Sequence, residues 1–116
     1  MVIWTEDARE DIENILFALI TWEKHQPLSL EEADNYIEDI RRAGNKLDKL
    51  SLHTNARYET HKAYGEKVYR YDRNKRTQWY IVYDWDEITK IVCMNRIISN
   101  YMGSPVKPCV YAIMNV

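Results

Sequence analysis

The spacing of apolar residues changes once along this chain, and that change sets what the chain can fold into. From Ala8 to Leu47 apolar side chains recur every three or four residues; from Val68 to Arg96 they alternate. A three-to-four spacing paints one stripe on a helix, and a spacing of two paints one face of a strand. Helices therefore come first and strands second, and each layer has an apolar face that only the other layer can cover.

The details support two helices. The short β-branched and aromatic run "VIWT" reads as a first strand, followed by Thr5 as a helix N-cap with Glu6 and Asp7 in the favourable first turn. Ala8, Ile12, Ile15, Leu16, Leu19 and Ile20 then form a stripe, and the helix is predicted to end near His25 and Pro27. In "LSLEE", Ser29 and Glu32 have the spacing of a capping box, with Leu28 and Ala33 placed as a hydrophobic staple. Leu30, Ala33, Ile37, Ile40 and Leu47 make the second stripe, with Gly44 close to it. The short link predicts an antiparallel helical hairpin with acidic outward faces.

After a polar stretch containing His53, Arg57 and His61, three strands follow. Tyr69 and Tyr71 oppose Val68, Arg70 and Asp72; Trp79, Ile81, Tyr83 and Trp85 oppose Gln78, Tyr80 and Val82; Ile91, Cys93 and Asn95 oppose Lys90, Val92, Met94 and Arg96. Joined by a basic turn and an acidic one, they predict an antiparallel meander. The expected class is α+β: an N-terminal strand and an antiparallel helical hairpin packed on a small antiparallel β-meander, whose other face is left open for work. The apolar-ended tail 103–116 is expected to dock on the body or on a partner.

The 116 residues suffice for one domain, and 46% hydrophobic with 29% charged residues is a globular balance. No run approaches the roughly 18 apolar residues of a membrane span, and the N-terminus lacks the features of a signal peptide, so a cytoplasmic protein with no membrane partner is expected. Cys93 and Cys109 lie outside any Cys-x-x-Cys pattern and read as buried free thiols. The net charge of −2 is unevenly placed: residues 1–49 hold 12 acidic and 6 basic side chains, residues 50–116 hold 6 and 10. A negative helical side and a more positive sheet side follow, while the overall acidity argues against strong nucleic-acid binding.

Few residues carry chemistry. Arg73, Lys75 and Arg76 form either a solubilising hairpin tip or a contact with an acidic segment or a nucleic-acid backbone. Arg96 is either half of a structural ion pair or a site residue, and Lys90 shares its predicted face. Trp79, Ile81, Tyr83 and Trp85 read as a core face rather than a base-stacking platform, which leaves Tyr80, opposite them, as the exposed candidate. His53 and His61 read as surface loop residues with no third ligand at metal spacing, and Asp84, Asp86 and Glu87 as turn acids. No Gly-rich phosphate loop or nucleophile elbow occurs, so no metal or cofactor is expected.

The opening "VIWTEDAREDIENI", the strand pair "VYRYDR" and "WYIVYDWD", and the final "ITKIVCMNRIISNY" together resemble the RelE/ParE superfamily of toxins from type II toxin–antitoxin systems, the plasmid stabilisation proteins, over residues 1–102. The resemblance implies a small cytoplasmic toxin neutralised by a cognate antitoxin. In the ribosome-dependent nuclease branch, basic residues of the middle strands and a terminal Arg and Tyr meet messenger RNA; by position these are Arg70, Arg96 and Tyr101. Fixed positive charge and a nearby proton donor suit a cleavage in which a 2′-hydroxyl attacks the phosphate. That branch places an arginine where this chain has Tyr80, and a ribosome-seeking enzyme should carry a larger positive field. The resemblance thus leans to the ParE-like branch, associated with DNA gyrase, and leaves a non-toxic member of the fold and a homodimer open. Arg73, Lys75, Arg76, Tyr80 and Lys90 are the expected contacts for a target or RNA.

Overall fold

A computed structural model describes residues 1–21 and 28–99 of the chain. Strand β1 is Val2–Trp4, helix α1 Glu6–Thr21 and helix α2 Leu30–Asn45, followed by a 3₁₀ turn at Leu47–Lys49. A single helical turn, α3, occupies Glu59–Lys62, and the meander is β2 (Lys67–Asp72), β3 (Gln78–Asp86) and β4 (Ile91–Ser99). The sheet order is β1-β4-β3-β2, with β1 parallel to β4 and the other pairs antiparallel. The α+β class and the element order expected from the sequence both hold. No helix among the described residues is long and apolar enough to cross a membrane.

Local signals start the helices where the sequence places them. Thr5 Oγ1 accepts from the Ala8 amide at 3.2 Å. Ser29 Oγ accepts from the Glu32 amide at 3.1 Å while Glu32 Oε1 accepts from the Ser29 amide at 3.0 Å, a complete capping box. Leu30 departs from expectation: it opens α2 at 61% exposure, so the buried stripe begins at Ala33. The end of α1 near His25 and Pro27, Cys109 and the tail 103–116 lie outside the described residues. Cys93 is a half-buried free thiol.

The core lies between the hairpin and one sheet face. Ala8, Ile12 and Ile15 of α1 and Ile37 and Ile40 of α2 meet Trp79, Ile81 and Tyr83 of β3 and Val92, Met94 and Ile97 of β4. The alternation along β3 is the predicted one. Along β4 it breaks, because Met94 pairs with Tyr83 and Arg96 with Val82, leaving Asn95 as an extra residue. This β-bulge turns Arg96 away from the face of Val92 and Met94, where unbroken alternation had put it.

The outer sheet face is less open than expected. Thr54–Ala56 run along the outer edge of β2, with Ala56 N–H donating to Glu66 C=O and Val68 N–H to Thr54 C=O, both at 2.9 Å. The chain then crosses the outer face through α3 and residues 63–66, burying Val82 completely and His61 to 5% exposure.

Candidate functional site: a basic and aromatic groove on the outer sheet face

The register decides which expected residues meet. Arg70 lies opposite Tyr80, Tyr80 opposite Ile98, and Val82, two residues on from Tyr80, opposite Arg96. Arg70, Tyr80 and Arg96 therefore share the outer face on three adjacent strands. Tyr101 lies outside the described residues.

Between this face and residues 54–61 runs a groove of about 450 Å³, whose lining includes Thr54, Arg57, Tyr58, His61, Arg70 and Tyr80. The His61 ring meets Tyr58 edge-on with centroids 5.4 Å apart and lies tilted on Tyr80 at 4.8 Å. Burial holds its pKa below the ordinary 6.5, so the ring is neutral at pH 7. The Arg70 side chain is 60% exposed, and its Nε donates to Asp72 Oδ1 at 2.7 Å. This bond and the Asp72 charge raise the pKa of the guanidinium further. The groove thus offers two arginines and ring faces with no carboxylate in its lining, a setting for an anion carried on a planar or apolar body.

Arg96 is differently placed. Its Nε and Nη2 donate to the two Asp11 carboxylate oxygens at 2.8 and 3.1 Å, and its guanidinium carbon lies 4.7 Å from the Tyr64 ring centroid. Asp11 Oδ2 also accepts the Ile97 amide at 2.8 Å. Burial raises the pKa of Asp11 above its ordinary value, against the lowering by Arg96 and Ile97; the pair raises that of Arg96. Of the two readings of Arg96, the structural ion pair is the one observed. Sequence reasoning passed over Asp11, although an acid inside the stripe Ala8, Asp11, Ile12, Ile15 signals a buried partner.

The hairpin tip divides. Arg73 folds back onto α2, ion-paired with Asp39 and 4.2 Å from the Tyr36 ring centroid, and Tyr36 accepts from Trp79 Nε1 at 2.9 Å. Arg73 therefore staples the tip to the helical layer, while Lys75 and Arg76 are exposed on the turn. Lys90 sits at the far end of β3 from Tyr80, in the left-handed region at φ 59°, with Nζ 5.7 Å from the Trp85 ring centroid. It belongs to a turn and not to the groove.

His53, expected as a surface loop residue, is half-buried. Its ring stacks on Trp85 at 4.0 Å and its Nδ1 lies 2.7 Å from the hydroxyl of buried Tyr83. Burial pushes the Tyr83 pKa up to about 12, so the hydroxyl keeps its proton, and the direction of its hydrogen bond with Nδ1 follows the tautomer of His53. His53 Nε2 is buried without a hydrogen-bond partner among the described residues. Among the described residues no His, Cys, Asp and Glu cluster could hold a metal ion. No protein-family model matches this chain, and neither does any curated protein or solved structure.

Proposed function

We propose that this chain is the toxin of a type II toxin–antitoxin module, of the RelE/ParE kind, acting by binding and blocking an essential machine such as DNA gyrase. A cognate antitoxin laid across the sheet and the helical hairpin would hold it inactive, folding as it binds. The observation that carries the reading is the strand, hairpin and meander order with Arg70, Tyr80 and Arg96 on one sheet face. Blocking is preferred to cleavage because Arg96 already spends its charge on Asp11 and a tyrosine, Tyr80, stands at the middle-strand position where the nuclease branch carries an arginine.

The second reading is a ribosome-dependent messenger RNA endoribonuclease using Arg70, Arg96 and Tyr101, favoured by the shared face of the first two. Inducing the chain in bacteria, alone and with its neighbouring gene, separates these. Growth arrest with DNA-damage signalling and intact transcripts supports the blocking toxin; arrest with transcripts cut in the ribosomal A site supports the nuclease. No arrest removes both and leaves a non-toxic member of the fold.

A further inference from the structure

Strand β2 is covered along only part of its outer edge. Val68 N–H donates to Thr54 C=O, so the even residues of β2 direct their backbone groups away from β3; Arg73 N–H, donating to Thr77 C=O, continues the odd series that bonds to β3. By alternation the N–H and C=O groups of Arg70 point outward. Among the described residues nothing pairs with this edge beyond Val68, where Thr54 ends the covering segment. The groove of about 450 Å³ opens at the same place, since Thr54, Val68 and Arg70 belong to its lining together with Arg57, Tyr58 and Tyr80. Its charge is of one sign. Arg57 is exposed and has no ion-pair or hydrogen-bond partner among the described residues. Arg70 gives its Nε to Asp72 and keeps both terminal nitrogens unpaired, and no carboxylate lines the groove. Tyr58 is 66% exposed, and the Tyr80 ring is held against buried His61.

We propose that the groove and the Arg70 edge together take an extended, acidic peptide segment of another protein. A residue of that segment opposite Arg70 exchanges two N–H···O=C bonds with it, and its side chain then stands on the outer face beside the guanidinium. An aspartate or glutamate at that place meets the Arg70 terminal nitrogens and Arg57. Thr54 holds the place opposite Val68, so the segment leaves the edge there and its next outer-face side chain enters the groove. An aromatic or long aliphatic side chain fits the rings of Tyr58 and Tyr80. Two observations select a peptide over a nucleic acid. The edge offers a donor and an acceptor side by side, which a polypeptide backbone matches and a phosphodiester, an acceptor only, does not. The chain's net charge of −2 also disfavours a polyanion, while two arginines with no acid between them suit a segment with one or a few carboxylates. The site takes such a segment whether or not the chain arrests growth, so binding is measured apart from growth.

The test is selection from a displayed library of random linear peptides on the purified full chain, followed by amide exchange with the most enriched peptide made synthetically. Enriched peptides should share an acidic residue with an aromatic or aliphatic one two residues away, the spacing of one strand face. The synthetic peptide should protect the Arg70 amide. Arg57→Ala, at an exposed position, should weaken its binding at least about tenfold, the loss of one charge-assisted contact. Arg57→Glu combined with Arg70→Glu should turn the selection towards basic peptides, a change of preference that a folding defect does not produce. Three results would overturn the proposal. One is a library that yields no enriched peptide. A second is a set of enriched peptides without the acid, or whose binding neither protects the Arg70 amide nor responds to Arg57→Ala. The third is a single-stranded uridine oligonucleotide that binds more tightly than the peptide and is lost in Arg57→Ala, which would assign the groove to nucleic acid.

Discussion

Asp11 of α1 and Arg96 of β4 hold each other through two hydrogen bonds, and the same carboxylate closes the strand edge by accepting the Ile97 amide. The acid is 6% exposed and the guanidinium 29%. Removing one partner of a buried pair strands the other, at a cost of about 3–5 kcal/mol. Because water still reaches Arg96, Asp11→Ala should fall at or below the lower end, about 2–3 kcal/mol. Asp11→Leu combined with Arg96→Leu should recover much of that loss, since burial of the charge works against the pair. Urea unfolding of the single and double variants measures both, and additive losses would show that the two residues do not act as a pair.

This geometry changes which arginine reports on function. Arg96→Ala disturbs the bulge, the α1 contact and the Tyr64 stack together, so under the proposed function a loss of growth arrest in that variant would be ambiguous. Arg70 is exposed and its partner Asp72 is exposed too. Arg70→Ala should leave the unfolding midpoint unchanged and weaken growth arrest at least about tenfold. A variant that arrests growth as strongly as the parent chain would remove Arg70 from the contact surface.

The layered architecture was legible because its signals are local. The capping box at Ser29 and Glu32, the N-cap at Thr5 and the alternation from Trp79 to Tyr83 each depend on neighbours a few residues away. The misplacements all required tertiary information. A single extra residue, Asn95, reverses the facing of everything after it on β4, and nothing in "CMNRI" announces it. Polar residues 50–66 look like a loop, yet they edge β2 and roof the outer face, which is why His61 is covered rather than solvated, while His53 is half-buried against Tyr83 and Trp85 of the other face. Arg73 reads as a soluble tip because Asp39 and Tyr36 lie more than thirty residues away. Of the site, Arg70 and Tyr80 were found from the sequence; Arg57, Tyr58 and the contacts of His61 depend on that roof.

The two covered histidines give the stability a pH dependence of defined sign. Burial lowers the pKa of both His53 and His61 from 6.5. A group that binds its proton less tightly when folded contributes stability that is full above its unfolded pKa and lost as pH falls through it towards the folded value. The unfolding midpoint should therefore fall between pH 7.5 and pH 5, and His61→Phe should flatten part of that decline while keeping a ring against Tyr80. Asp11, shifted upward from 3.8, works the other way: its contribution is present below 3.8 and lost as pH rises through its folded value. Denaturant titrations across this range test the sign, and an unchanged slope in His61→Phe would remove His61 as a source.

At Gly65 the roof passes close against the sheet. A Cβ there would lie 3.0 Å from the Tyr83 carbonyl oxygen and from Val82 Cγ1, and 3.2 Å from Asn95 Nδ2. The Gly65 φ is not positive, so the obstacle is space and not backbone strain. The carbonyl belongs to the middle of β3 and has little freedom to give way. Gly65→Ala should lift residues 63–66 off the sheet, stretching the 2.7 Å bond from Asn95 Nδ2 to Tyr64 C=O and the 3.0 Å bond from the Glu66 amide to Asp84. Overpacking of this kind costs about 1–3 kcal/mol. Gly44→Ala makes a useful contrast. Its Cβ would meet Met94 Cε at 2.7 Å, the movable end of a flexible side chain, and alanine returns about 1 kcal/mol of helix propensity. Gly65→Ala should thus be the more destabilising of the two and should speed exchange of the Glu66 amide; the reverse order would mean that the roof yields more easily than the helix contact.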